Sequence, residues 1–321
     1  MSTLLYKQIK DQIDRAEHIL LLTDERIDGD TLGSTLGMYH VLREMGKRVD
    51  VFSPKPISDS LKFIPGVEVI QTDDKVFEVD GIDLVMIFDC SDGVCVMDRL
   101  PKMKRRVPLI AIDHHTTNPG YGDINLVEPE ASSAADVVWR FIKFAKYPVN
   151  ADAAQAILTG ICTDTIIFST TSTNSASLEA AVELTKLGAK LQEIVRRTMM
   201  NQSVAALKLW GMAFERLHRN EEFGAVATAI TRRDLRKIGA LEEELVGLVS
   251  FIYTMLDGAD VTLVLRETDD GGVKGSLRST ICDVAELAAR RGGGGHKNAA
   301  GFKVQNARLV EKDGVWEIVT S

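Results

Sequence analysis

The side chains with the capacity for chemistry gather at a few points along the chain. Asp28 and Asp30 stand in "DGD", Asp89 follows "LVMIF", Asp113, His114 and His115 follow "LIAI", and Asp164 lies in "GICTDT". Each has an ordinary reading when taken alone: "DGDT" and Asp89 as helix caps, "DHH" as a polar turn, Asp164 as a cap or surface residue. Jointly they mean more. Several carboxylates brought within a few ångströms cannot all stay ionised without compensating positive charge. Carboxylates with an imidazole form a hard, oxygen-rich donor set, suited to Mn²⁺, Mg²⁺ or Fe²⁺ rather than to a structural zinc. A pair of divalent cations is the simplest partner for them.

The elements that must position these residues follow from the apolar pattern. Strands are expected at residues 19–23, 48–53, 67–71, 84–88 and 109–112, with a first crossover helix at 32–45. The runs "LVMIF" and "LIAI" are apolar on both faces, as central strands of a covered parallel sheet must be. Alternation of strands and helices implies an α/β domain with a doubly wound, mainly parallel sheet, in which chemistry collects beyond the carboxyl ends of the strands. Three of the expected strands end on acids there. From residue 134 to about 189 the pattern is helical, and 190–217 shows no strand signal, which predicts a helical connector. Strands resume at 224–230, 260–267 and 273–278 around a helix at 241–255. "RGGGGHKNAAGFKV" reads as a turn feeding a final strand. The expected division is a domain at 1–189, the connector at 190–217 and a smaller α+β domain at 218–321.

Composition narrows the partners. The chain has 321 residues, 45% hydrophobic and 26% charged, with a net charge of -8. "KMKRR" and "RRDLRK" are short and interrupted by acids, so neither makes the basic stripe that long nucleic acid requires. No apolar run approaches the length of a membrane span. The four cysteines, Cys90, Cys95, Cys162 and Cys282, read as buried or incidental thiols of a reducing compartment, and the expected location is cytoplasmic.

"DGDTLGS", "DCSD", "IDHHTT" and "GICTDT", in that order, resemble the four motifs of the DHH phosphoesterase family. "KGSLRS" followed by "GGGGHKNAAGF" resembles that family's C-terminal DHH-associated domain. The similarity runs from about residue 19 to 302 and is nearest to the short nanoRNase branch, which degrades short oligonucleotides or 3′-phosphoadenosine-5′-phosphate. The resemblance implies two Mn²⁺ ions, with Mg²⁺ or Fe²⁺ as substitutes. One is placed on Asp28 and Asp89, and the other on Asp30, Asp89, His114 and Asp164, with Asp89 bridging. It makes His115 a neighbour of the attacking water and Asp113 the group that orients the histidine pair. Arg278, Gly293, Gly294, Gly295 and His296 become substrate-binding residues. The implied activity is hydrolysis of short oligoribonucleotides, 3′-phosphoadenosine-5′-phosphate or linear dinucleotides by metal-activated water. The alternatives are a pyrophosphatase- or exopolyphosphatase-like hydrolase and a catalytically weakened nucleotide-binding protein. The expected partner is a small nucleotide, with neither long nucleic acid nor membrane, and a homodimer is left open.

Two positions depart from the family pattern. Asp24 holds the place of the family's first histidine ligand, and Ile167 holds a place where relatives of the short type often carry arginine. With Asp24 as a ligand, five carboxylates would face two cations. With Asp24 turned away, the first cation would lose a ligand.

Overall fold

A computed structural model describes the chain except for Met1, residues 200–202, Val246, Asp257, Asp313 and Ser321, and describes Ser2, Glu243 and His296 by backbone alone. The chain divides into two compact units, Met1–Met200 and Asn201–Ser321. None of the described helices is long and apolar enough to cross a membrane.

The first unit contains α1 (Ser2–Arg15), β1 (His18–Thr23), α2 (Gly29–Glu44), β2 (Arg48–Phe52), β3 (Ile70–Gln71), β4 (Leu84–Phe88), α3 (Val94–Met97), β5 (Leu109–Asp113), β6 (Ile124–Val127), α4 (Ala134–Ala145), α5 (Ala151–Asp164), α6 (Ser175–Lys186) and α7 (Leu191–Thr198). Its six strands are all parallel, in the order β3-β2-β1-β4-β5-β6. The order reverses at β1/β4, which opens a crevice beyond their carboxyl ends. The apolar runs are explained by period-two alternation with both faces covered. Ile19, Leu21, Leu84, Met86, Phe88, Ile110 and Ile112 pack with helices α1, α2, α4 and α5. Leu20, Leu22, Val85, Ile87, Leu109 and Ala111 pack with Phe52, Val76, Phe77 and Val96 on the other side.

Helices α2 and α5 lie unusually close because glycines line the seam. A Cβ at Gly33 would stand 2.6 Å from the Ala156 carbonyl oxygen and the Gly160 nitrogen, and one at Gly160 would meet the Ala135 methyl at 2.5 Å. The close seam brings the start of α2 and the end of α5 to one place. After α5, residues 166–168 all take positive φ (46°, 53° and 62°), a left-handed turn costing on the order of 1–2 kcal/mol per residue. Ile167 and Phe168 turn into the core from there.

The second unit contains α8 (Val204–Glu215), β7 (His218–Asn220), β8 (Ala225–Ile230), α9 (Arg232–Ile238), α10 (Leu248–Met255), β9 (Val261–Glu267), β10 (Val273–Arg278), α11 (Val284–Ala289), β11 (Gly294–His296), β12 (Ala299–Val304), β13 (Ala307–Lys312) and β14 (Val315–Thr320). Its sheet runs β11-β12-β10-β9-β8-β7, antiparallel except at β8–β9. Helices α8, α9 and α10 cover Ile230 and Val264, while the hairpin β13–β14 covers Ala229, Leu265 and Val273.

Stretch 190–217 is helical, and the division between the units falls inside it: α7 buries Ile194 in the first unit, and α8 buries Leu209, Trp210 and Ala213 in the second. Each helix carries an apolar stripe that must find a core. Several other expectations are corrected. The helix expected at 241–255 is interrupted at Gly247, whose φ of 85° no helix accepts. Residues 67–69 form a 3₁₀ turn, leaving β3 only two residues. The glycine-rich "turn" is partly the edge strand β11, and two further strands follow β12. Strand β6 carries too weak an apolar pattern to be expected from sequence, because it lies at a sheet edge and is only partly buried.

Candidate active site

Four chain segments deliver acids to the crevice at the β1/β4 reversal. Asp28 is the N-cap of α2, its Oδ1 accepting from the Asp30 and Thr31 N–H groups at 2.9 and 3.0 Å. The cap reading is therefore correct and coexists with the chemical one. Asp30, two residues further in, is buried and bidentate to the start of α4, accepting from the N–H groups of Ala134 (2.7 Å) and Ala135 (2.9 Å). Asp89 follows β4 with φ 54° and accepts from Thr31 Oγ1 at 2.7 Å. A non-glycine residue held there stores local strain, which the surrounding hydrogen bonds must maintain. Asp164 ends α5, where the helix dipole already disfavours a negative charge.

His114 stands among these acids. Its Nε2 lies 3.9 Å from Asp30 Oδ2, 3.8 Å from Asp89 Oδ1 and 3.8 Å from Asp164 Oδ2. These separations are too long for hydrogen bonds. They approach the spacing of donors sharing one cation, about 3–3.5 Å for bonds of about 2.1 Å. Burial, with the charges of Asp164 and Asp28, pushes Asp30 well above the carboxylate range. Burial, with Asp30 and Asp28, does the same to Asp89. Burial and Asp28 raise Asp164 to about 7. Burial and the neighbouring His115 lower His114, keeping its ring neutral and able to ligate. A donor set that cannot ionise together unaided, and that holds a neutral imidazole, fits divalent cations.

His115 behaves differently. Burial opposes its charged form, but the hydrogen bond between Nδ1 and Asp113 Oδ1 (2.8 Å) and the charge of Asp113 outweigh it and raise its pKa. Asp113 is fully buried, and burial works against its charge. Hydrogen bonds from His115 and from Asn118 Nδ2 (2.8 Å) nonetheless bring it below the usual range. The pair is a charge-assisted dyad beside the donor cluster, with His115 Nδ1 3.6 Å from Asp89 Oδ1.

In the second unit, Arg278, Ser276, Lys274 and Arg266 line a cavity of about 910 Å³ together with residues 292–295 and 299–303. Arg278 donates to Ser250 Oγ (3.2 Å) and to the Leu277 carbonyl (2.8 Å); it forms no ion pair with a carboxylate among the described residues. Burial lowers its pKa, so an anion there would be welcome. Gly293 and Gly295 have a packing reason of their own. A Cβ on either would come within 2.1–2.6 Å of β12 backbone atoms. Gly294 pairs with Gly301 and meets no such neighbour. The His296 side chain lies outside the described residues.

Residues 18–161 match the DHH family, N-terminal domain, and residues 225–313 match the DHHA1 domain. The bifunctional oligoribonuclease and PAP phosphatase NrnA of Thermus thermophilus is 31% identical over 298 residues, spanning 91% of this chain and 85% of that protein. The chain belongs to the DHH family. The NrnA of Bacillus subtilis is 27% identical over 89% of each chain. An exopolyphosphatase-related protein from Bacteroides fragilis shares the DHH architecture with a TM-score of 0.84 at 27% identity, covering 94% of this chain and 91% of that one.

Asp30, Asp89 and Asp164 surround His114, the Asp113–His115 pair stands beside Asp89, and Asp28 reaches the group through Thr31. Asp24 does not join them. Its Oδ2 is paired with Arg26 Nε at 3.0 Å, while Oδ1 accepts from the Glu25 N–H at 2.7 Å and from the thiols of Cys90 and Cys95 at 3.6 Å each. Arg26 thus sets a positive charge against Asp24. Ile167 packs against the core, so its side chain cannot stand in for a phosphate-binding arginine. Sequence reasoning missed Thr31, Asn118 and Arg26 as supporting residues. Thr31 and Arg26 lie inside the acidic stretch that carries Asp24, Asp28 and Asp30, and could have been suspected from it. Asn118 carries no local signal.

Proposed function

We propose that this DHH-family chain is a metal-dependent phosphoesterase acting on small nucleotides: short oligoribonucleotides, 3′-phosphoadenosine-5′-phosphate or linear dinucleotides. The observation that carries the reading is His114 Nε2 held 3.8–3.9 Å from three carboxylates that burial and mutual repulsion keep from ionising together. The NrnA relatives, which span nearly the whole chain, support the nucleotide class of substrate.

Asp28, Asp30, Asp89, His114 and Asp164 would hold two divalent cations, Mn²⁺ first and Mg²⁺ or Fe²⁺ as substitutes. When bound, such ions polarise phosphoryl oxygens and make water a nucleophile near neutral pH. The chain's own residues do the rest. Thr31 and the α4 N-terminus fix the rotamers of Asp89 and Asp30, so the donor set is organised before substrate arrives. Asp113 anchors His115 through Nδ1 and holds the imidazole beside Asp89, where it would orient the attacking water. Arg278 supplies a fork for an anionic oxygen, and the β11 glycines let backbone N–H groups approach substrate.

The test is a panel of a short oligoribonucleotide, 3′-phosphoadenosine-5′-phosphate, a linear dinucleotide and pyrophosphate with added Mn²⁺, run beside Asp89→Ala. Turnover of the nucleotides that disappears in Asp89→Ala is the expected result. Failure of every nucleotide, or turnover that survives the substitution, refutes the reading. Preference for pyrophosphate would favour the phosphoanhydride alternative, which similarity to the exopolyphosphatase-related protein from Bacteroides fragilis keeps in view.

A further inference from the structure

We propose that Asp24, Cys90 and Cys95 form a binding site for one thiophilic divalent cation of the zinc class, distinct from the carboxylate–histidine centre. Donor atoms of the three residues lie within 4.8 Å of one another. Both sulfurs stand 3.6 Å from the same oxygen, Asp24 Oδ1. A tetrahedral zinc with Zn–S of about 2.3 Å and Zn–O of about 2.1 Å places sulfur and oxygen ligands about 3.6 Å apart. Both sulfur–oxygen separations therefore already match what such an ion imposes.

The surroundings are built for it. Asp24 and Cys90 are buried, and Cys95 is half-buried, which leaves a way in from solvent. Gly93, with φ 66°, turns the chain between the two cysteines so that both sulfurs face Asp24; a Cβ there would strike the Tyr121 ring at 2.5 Å. Arg26 holds Asp24 Oδ2 at 3.0 Å, the outer hydrogen bond that ligating carboxylates commonly have. Charge closes as well. A doubly positive ion and the Arg26 guanidinium together neutralise two thiolates and one carboxylate. The catalytic set has only oxygen and nitrogen donors, so a soft cation is sorted to the sulfur pair by ligand type. The site would tie the end of β1 to the segment after β4, next to Asp89.

The test is titration of the full chain with Cd²⁺ in a non-thiol reductant, following the thiolate-to-cadmium charge-transfer band. That band is silent to oxygen and nitrogen ligation, so it reads this site independently of phosphoester turnover. Saturation at one thiolate-bound ion per chain, reversed by Zn²⁺, is expected. Cys95→Ser and Asp24→Asn should each weaken binding at least tenfold, and Cys282→Ser should leave it unchanged. Cadmium NMR of the unsubstituted chain reads sulfur ligation without relying on a variant's folding. A chemical shift typical of oxygen and nitrogen ligands alone, absence of the band, or a band that follows Cys282 would overturn the proposal.

Discussion

The α2–α5 seam makes a specific demand on Gly33. An alanine methyl there would sit 2.6 Å from the Ala156 carbonyl oxygen and the Gly160 nitrogen, and 2.7 Å from the Gly160 Cα, whereas ordinary contact begins at 3.4 Å. All three are backbone atoms, so no rotamer relieves the clash. The helices must part by roughly 0.8 Å, an overpacking cost of about 1–3 kcal/mol. For a unit of this size that corresponds to a Tm lower by about 2–12 °C. Asp30 lies on α2 just before Gly33, and Asp164 on α5 just after Gly160, so the same movement spreads the donor set. A displacement near 1 Å in a reacting constellation costs on the order of 10²-fold. Calorimetry and phosphoester turnover of Gly33→Ala with added Mn²⁺ measure both effects. Gly211→Ala, where a Cβ meets nothing within 4 Å, is the control. A Gly33→Ala protein with the parent's Tm and turnover would refute the view that this seam sets the site's geometry.

Other expectations follow from the same structure. Divalent cations added to metal-free protein at pH 7 should release protons, because burial and like charge raise Asp30 and Asp89 well above the ordinary carboxylate value and Asp164 to about 7. Calorimetric titration in buffers of different ionisation enthalpy reads this, and zero release would contradict the assigned ligands. Arg278→Ala should raise KM by about 10–100-fold for nucleotide substrates with a smaller change in kcat, the scale of a lost charge-assisted contact; steady-state kinetics decides. In the second unit, burial works against the charge of Asp234, but hydrogen bonds from Arg216 and Thr231 lower its pKa from 3.8 to about 2. Its stabilisation, about 1–2 kcal/mol after solvent screening, is present above pH 4 and lost as pH falls toward 2. The Tm gap between parent and Asp234→Asn should therefore close over that interval, and a constant gap would exclude the ion pair as its source.

The apolar strand runs were legible from sequence because a strand buried on both faces has to be apolar at every position, whatever its neighbours are. Acids at the ends of such runs were legible for a similar reason: a charge at the end of a buried strand needs a partner, and the parallel sheet collects those ends on one side. What pattern alone left undecided was the orientation of each carboxylate. Asp24 and Asp28 are four residues apart in one acidic stretch. Yet Asp28 caps α2 within the group of acids around His114, while Asp24 turns to Arg26 and to thiols 66 and 71 positions away. Neither thiol is a local neighbour, so no periodicity or spacing rule could connect them to Asp24. The division of residues 190–217 between two cores, the half-buried edge strand β6 and the close seam at Gly33 were settled in the same way. Local sequence determines which residues must be covered or compensated; the assembled fold alone determines what covers or compensates them.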